Sequence, residues 1–118
     1  MKEGVLIIAE AGVNHNGSIK RALDLVRIAA DSGADSVKFQ TFIAEEEISK
    51  NAPKAQYQKK TTDSTESQLE MVKKLELNEN DHLKIIELSD ENNIEFMSSA
   101  FDLISIELLE SFDLNRIK

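Results

Sequence analysis

The sequence contains no cysteine, which excludes a disulfide framework and a thiolate metal site within its 118 residues. No apolar run is long enough to span a bilayer, and no basic segment followed by an apolar run opens the chain. We therefore expect a soluble, cytoplasmic protein with no membrane-spanning segment. The length suffices for one small domain with its own core.

Positive charge is scarce. The chain has 14 Lys and Arg residues against 22 Asp and Glu residues, and its formal net charge is −8. This excess of acid argues against nucleic-acid binding through bulk charge. A local anion site stays open, because a few lysines and backbone amides suffice for one phosphate. A glycine-rich phosphate loop is also missing, since GVNHNG (Gly12–Gly17) fits neither the Walker pattern nor G-x-G-x-x-G.

The two histidines, His15 and His82, do not have the spacing of paired metal ligands, and one imidazole cannot hold a metal alone. We therefore predict no metal ligand in this chain. His15 is expected to shape the loop that contains it, and His82 is expected on an exposed helix face because its neighbours are polar.

The most informative stretch is VLIIAEAGVNHNG, Val5–Gly17. Its aliphatic residues Leu6–Ile8 do not alternate with polar ones, which predicts a strand buried on both faces of a parallel sheet. Glu10 follows where such a strand would end. A carboxylate there is costly without a partner, so the stretch fits either a simple polar turn or part of a site.

Strands and helices alternate along the rest of the chain. Further strands are predicted at Ala34–Thr41, Ile94–Ser98 and Leu114–Lys118. Helices are predicted after the N-cap residues Ser18, Asn78 (with Asp81 at the third helical position), Asp102 and either Thr65 or Ser67, and Gly33 is predicted to end the first helix. Between the second strand and Ser64 lies an irregular segment, in which Ile43–Ile48 is expected to form a short acidic helix and the rest a long loop of the functional kind.

This alternation implies parallel strands joined by right-handed crossovers. Two architectures fit: an open, doubly wound sheet, or part of a closed (β/α)₈ barrel. A whole barrel needs about 250 residues, so this chain would form close to half of one. A last strand with no helix after it is typical of a truncated domain.

Polar side chains recur at the predicted strand ends, where ligands of α/β sheets and barrels gather. They are Glu10, Lys38, Gln40, Ser98, Ser99 and Lys118. Lysines and hydroxyls suit a phosphate or carboxylate ligand, and a carboxylate suits proton transfer. Two enzymatic interpretations stay open. Lys38 could form a Schiff base with a carbonyl substrate, or it could be a permanent cation that holds an anionic substrate, which Lys118 favours weakly.

Five segments together resemble the N-acetylneuraminate (sialic acid) synthase family, whose relatives make legionaminic and pseudaminic acids. They are IIAEAGVNHNG, VKFQT, APKAQYQKKTT, ESQLEMVKKLEL and MSSAFD, and the resemblance runs from Val5 to Lys118. It implies an N-terminal TIM barrel followed by a small antifreeze-like domain. Residues 1–118 would be the N-terminal portion of that barrel, with the first three βα units plus strand 4.

The resemblance also implies an activity. Members condense phosphoenolpyruvate with an N-acylated mannosamine-type sugar to form a nonulosonic acid and release phosphate. A divalent metal, typically Mn²⁺ and alternatively Mg²⁺, acts as Lewis acid, and its histidine ligands come from later strands that this chain lacks. The full-length parent is expected to be a homodimer, and this chain alone is expected to be inactive.

Five residues match the family's functional positions. Glu10 resembles the catalytic carboxylate, and Lys38 and Gln40 fall on substrate-contacting positions. This chain has SSAF where the family often has STPF. Ser99 therefore matches the position of a phosphate-contacting hydroxyl, which is usually threonine in the family. Lys118 matches the lysine that binds phosphoenolpyruvate at the start of the fourth strand.

Overall fold

The computed structural model describes residues 4–46 and 62–118 as a three-stranded parallel sheet with helices between the strands. The elements in chain order are β1 Ile8–Gly12, α1 Ile19–Asp31, β2 Ser36–Thr41, α2 Thr62–Lys74, α3 Glu79–Glu91, β3 Glu95–Ala100 and α4 Leu103–Ser111. The strands lie side by side in the order β1-β2-β3. The predicted alternation and the parallel sheet are thus confirmed. No helix in the described ranges has the length and apolar character needed to cross a membrane.

The predicted caps of three helices are confirmed. Ser18 caps α1 by accepting a hydrogen bond from the backbone of Arg21, and Asp102 caps α4 in the same way. Asn78 and Asp81 form a reciprocal capping box at the start of α3. Gly33 follows the last turn of α1 with φ of +84°, a conformation that a residue with a Cβ rarely adopts.

Helices α1, α3 and α4 all pack against the same face of the sheet. The apolar residues at the centre of this layer are Val26 of α1, Val37 and Phe39 of β2, Ile85 of α3, Phe96 of β3 and Leu109 of α4. The rings of Phe39 and Phe96 stack with their centroids 5.9 Å apart. Because side chains alternate along a strand, Lys38 and Gln40 point to the opposite face, which we call the open face.

The prediction that the first strand is buried on both faces is wrong. Leu6, Ile7 and Ile8 are 40%, 51% and 42% exposed, and β1 begins only at Ile8. In the described residues β1 is an edge strand, because it pairs with β2 on one side. Glu10 lies within β1 and not after its end.

The predicted fourth strand, Leu114–Lys118, is not a strand in the structure. Its last residue, Lys118, pairs with β3 by donating its N–H to the carbonyl of Ser98 at 3.0 Å and accepting from the N–H of Ala100 at 3.3 Å. A strand requires a continuous ladder of such bonds, and one paired residue does not form it. The expected three βα units are therefore followed by a segment that meets β3 at Lys118.

The third strand is shifted from its predicted range, Ile94–Ser98, to Glu95–Ala100. Ser98 and Ser99 consequently lie inside β3, where consecutive side chains point to opposite faces. Only Ser99 shares the open face with Lys38 and Gln40, and Ser98 lies on the helix-covered face.

The prediction that Thr65 or Ser67 caps the next helix is wrong, because α2 begins at Thr62 and includes both. The sequence TTDSTES offers several residues of the N-cap type, so composition alone does not select one. Of the predicted short helix Ile43–Ile48, residues 44–46 are helical, and its end, like most of the predicted loop, lies outside the described residues.

The prediction that His82 is exposed is also wrong. His82 is completely buried, together with Ile85 and Ser89 on the same side of α3, whereas the neighbouring Leu83 is 48% exposed. The side of α3 that carries the imidazole faces the sheet, where the hydroxyl of Thr41 is a hydrogen-bond partner for the ring. The polarity of neighbouring residues in the sequence does not reveal this partner.

Candidate active site

The open face brings two of the predicted site residues into direct contact. Glu10 of β1, Lys38 of β2 and Met97 of β3 are aligned in one row across the sheet. The Nζ atom of Lys38 lies 2.6 Å from Oε2 of Glu10. The lysine side chain is only 14% exposed, whereas the glutamate side chain is 50% exposed, so the carboxylate stays accessible from the open face.

This ion pair fixes the charge of Lys38. The hydrogen bond to Glu10 raises the pKa of Lys38 above its usual value of 10.5, and the opposing effect of burial is smaller. Lys38 is therefore a permanent cation at neutral pH. A cation of this kind binds phosphate or carboxylate well, whereas a Schiff-base lysine needs a lowered pKa.

Gly12 lies close to the side chains of both Glu10 and Gln40. The pairing of β1 with β2 shifts between Glu10 and Gly12, and Gly12 has φ of +54°. A Cβ at Gly12 would lie 3.1 Å from Oε1 of Glu10 and 3.6 Å from Nε2 of Gln40. Any other residue would crowd the carboxylate of Glu10 and would make an ordinary van der Waals contact with Gln40. Gly12 was not predicted as a site residue, although an isolated glycine within a strand pattern is the signal for such a bulge.

An open cavity of about 680 Å³ lies against this face. It is lined by Ile8, Glu10, Lys38, Met97, Asn115, Arg116, Ile117 and Lys118. Three of the five predicted site residues, Glu10, Lys38 and Lys118, therefore border the same space. The contributions of Met97 and Arg116 were not predicted, because the lining depends on how the segment after α4 returns beside β3.

Gln40 and Ser99 are register partners on β2 and β3. Both belong to the open face, but neither lines the cavity. The structure thus brings Glu10, Lys38 and Lys118 around one space and places Gln40 and Ser99 as a pair nearer the carboxyl ends of their strands.

His15 has a structural position away from the open face. Its ring is fully buried beside Phe39, and its Nδ1 accepts a hydrogen bond from the backbone N–H of Gly17 at 2.8 Å. Burial lowers the pKa of His15, and the nearby Asp81 opposes this shift in part. Gly17 in turn packs directly on the backbone carbonyl of Lys74, so that a Cβ at Gly17 would overlap it. The NHNG segment thus forms a folded turn against the end of α2.

The described parts of the chain contain no group of three or more His, Cys, Asp or Glu side chains that could hold a metal ion. The described residues therefore do not supply a ligand set for the divalent metal that the resemblance implies, and we derive no step through it.

Comparison with known proteins supports one family. The profile described as the NeuB family matches residues 25–118. The chain is 55% identical to the N,N'-diacetyllegionaminic acid synthase of Campylobacter jejuni, over 96% of this chain and 34% of the relative. It is 51% identical to the enzyme of the same name from Legionella pneumophila, over 95% of this chain and 32% of the relative.

Among solved structures, the chain is similar to an N-acetylneuraminic acid (sialic acid) synthetase from Leptospira borgpetersenii, determined in complex with citrate. The two share 30% sequence identity and a TM-score of 0.80, over 98% of this chain and 35% of the other. The chain spans about a third of the length of the relatives it matches. The match to the profile, together with these similarities, shows that the chain belongs to the NeuB family.

Proposed function

We propose that this chain is part of a longer protein, here called the full-length synthase, that condenses phosphoenolpyruvate with an N-acylated amino sugar to make a nonulosonic acid. The chain would supply the first strands of a TIM barrel, with the open face turned to the barrel interior. The consecutive order of the three strands and the helices on one face support this placement, because a doubly wound sheet has helices on both faces.

The observation that carries the proposal is the partly buried cation Lys38 held against the half-exposed carboxylate of Glu10 at the edge of the cavity. Phosphoenolpyruvate brings two anionic groups, and an open-chain sugar brings hydroxyls and an aldehyde. A fixed cation suits the first and a carboxylate suits the second.

The proposed reaction forms one carbon–carbon bond and breaks one carbon–oxygen bond. The methylene carbon of phosphoenolpyruvate attacks the aldehyde carbon of the sugar, whose oxygen takes up a proton. Water adds to the carbon that bears the phosphate, and inorganic phosphate leaves from the resulting tetrahedral species to give a 2-keto acid. The full-length synthase would also hold a divalent metal, Mn²⁺ or Mg²⁺, through ligands outside the described residues. This metal would supply Lewis-acid chemistry.

Each site residue has a proposed role. Lys38 and Lys118 would bind the anionic groups of phosphoenolpyruvate, and Glu10 would accept a proton from the attacking water or a sugar hydroxyl. Gln40 would contact substrate beside Glu10, and Ser99 would donate its hydroxyl to phosphate. The raised pKa of Lys38 supports the role of a permanent cation over that of a Schiff-base nucleophile.

We further propose that the product is N,N'-diacetyllegionaminic acid. Identity with two synthases of this acid is 55% and 51%, against 32% with a pseudaminic acid synthase and 30% with a mouse N-acetylneuraminate-9-phosphate synthase. Phosphoenolpyruvate contributes three carbons, so the sugar substrate would be an aldose three carbons shorter that carries both N-acetyl groups. Homodimer assembly and a cytoplasmic location stay predictions.

The test is phosphate release by the purified full-length synthase. We expect release from phosphoenolpyruvate only when the diacetylated aldose and a divalent metal are both present. Turnover without metal, combined with a borohydride-trapped adduct on Lys38, would instead establish a Schiff-base aldolase. The chain of 118 residues, assayed alone, is expected to release no phosphate, and activity of a homogeneous sample would refute that expectation.

A further inference from the structure

A series of buried hydrogen bonds lies on the helix-covered face of the sheet, opposite the open face. The hydroxyl of Thr41, the last residue of β2, is 2.6 Å from the hydroxyl of Ser98 in β3 and 2.8 Å from Nε2 of His82 in α3. The other ring nitrogen of His82 is 2.7 Å from the backbone carbonyl of Asn78. Thr41 is 2% exposed, and Ser98 and His82 are completely buried.

The donor and acceptor of each hydrogen bond in this series follow from the bond between His82 and the carbonyl of Asn78. The carbonyl of Asn78 can only accept, so Nδ1 of His82 carries the ring proton and Nε2 accepts. Thr41 therefore donates its one hydroxyl hydrogen to Nε2. The 2.6 Å contact then requires Ser98 to donate to Thr41, in preference to the carbonyl of Ser99 at 3.3 Å. Burial lowers the pKa of His82, which keeps the imidazole neutral as this arrangement requires.

These residues alternate with the proposed substrate residues. Gln40 precedes Thr41 and Ser99 follows Ser98, and Gln40 and Ser99 are register partners on the open face. A hydrogen bond that holds Thr41 against Ser98 on one face therefore fixes the separation of Gln40 and Ser99 on the other. His82 ties this part of the sheet to the capped start of α3, and its ring stacks on Phe112 with the centroids 5.7 Å apart.

We propose that Thr41, Ser98 and His82 are positioning residues that hold Gln40 and Ser99 in the geometry needed to bind substrate. None of the three lines the cavity. This inference rests on the proposed function, because Gln40 and Ser99 bind substrate only if that function is correct.

The test uses Thr41→Val in the full-length synthase, which keeps the volume and removes the hydroxyl. We expect kcat/KM for phosphoenolpyruvate to fall roughly tenfold or more, since small displacements of substrate-binding groups have effects of that order. Thr41→Ser keeps the hydroxyl and should restore most of the loss. The matched control is Ser89→Ala, because Ser89 is a buried serine of α3 whose hydroxyl donates to the carbonyl of Ile85 within the same helix.

Wild-type kcat/KM in folded Thr41→Val, or an equal loss in Ser89→Ala at equal Tm, would overturn the positioning role. If Thr41→Val does not fold, Ser98→Ala gives the same test, because it leaves the Thr41–His82 bond intact. Nitrogen NMR of His82 provides a measurement independent of activity, and a proton on Nε2 would contradict the proposal. A wild-type synthase that releases no phosphate would overturn the proposed function itself, and the positioning role with it.

Discussion

The two faces of the sheet differ in what they bury. The helix-covered face buries aromatic and aliphatic side chains, and its polar groups Thr41, Ser98 and His82 form a hydrogen-bonded series that ends on the carbonyl of Asn78. The open face carries Glu10 and Lys38, a charged pair that is partly accessible beside a cavity. The difference indicates that one face of β2 stabilises the fold, and the proposed function places the chemistry on the other. Substitutions on the two faces should therefore affect different measurements.

The largest expected effect is on stability, from Phe39→Ala on the helix-covered face. Phe39 is completely buried between the rings of His15 and Phe96, so its loss should leave a cavity and lower the free energy of unfolding by about 3–5 kcal/mol. Urea unfolding of the full-length synthase measures this. Ile28→Ala on α1, where the side chain is 60% exposed, is the control and should change it by less than about 0.5 kcal/mol. Equal losses in the two variants would contradict the division between the faces.

The next effect is on catalysis, from Glu10→Gln on the open face. We expect turnover to fall roughly 10²–10³-fold, as for loss of a general base, with little change in stability because the side chain is half exposed. Steady-state phosphate release and Tm measure the two quantities. Asp24→Asn is a matched control, since its side chain is 51% exposed and also pairs with one cation, Arg27. An unchanged rate in Glu10→Gln would remove Glu10 from the mechanism.

A smaller effect is expected from Lys38→Met, which removes the cation and leaves Glu10. KM for phosphoenolpyruvate should rise roughly 10–100-fold, the usual consequence of losing a hydrogen bond to a charged group. Initial rates at varied phosphoenolpyruvate concentration measure KM, and Lys20→Met, at an exposed position of α1, is the control. A fall in kcat with KM unchanged would show that Lys38 does not bind this substrate.

The smallest expected effect is a pH dependence of stability from the helix-covered face. Burial lowers the pKa of both His15 and His82 below 6.5. The hydrogen bond to the Asn78 carbonyl opposes the shift at His82, as do the charges of Asp81 and Glu79, and Asp81 also opposes it at His15. The unfolded chain then binds more protons than the folded one, so the free energy of unfolding should fall as the pH drops below about 6.5.

Urea unfolding at pH 7.5 and 5.5 checks this pH dependence. The carboxylate Glu45, whose pKa is lowered by its bond to Lys73, loses its contribution only below pH 4.5 and so does not interfere. A stability that stays constant or rises towards pH 5.5 would show that the two imidazoles are not held neutral in the folded protein.

The sequence predicted the order of strands and helices because local signals specify them. Ser18, Asn78 and Asp102 are N-cap residues in the structure because each can satisfy a backbone N–H of the first helical turn by itself. Boundaries were less certain where several polar residues compete, as at the start of α2. The exposure of Leu6–Ile8 could not be inferred, because it depends on what lies beside the edge of β1.

The amino-acid sequence by itself determined the βα order, the alternation that puts Lys38 and Gln40 on one face, and the family resemblance, because these depend on local pattern. Only the tertiary structure decided that Glu10 contacts Lys38, that Thr41 contacts Ser98, and that His82 is buried with a hydrogen bond to Thr41. Each of these facts depends on residues far apart in the chain coming within a hydrogen-bond length, and no local pattern encodes that distance.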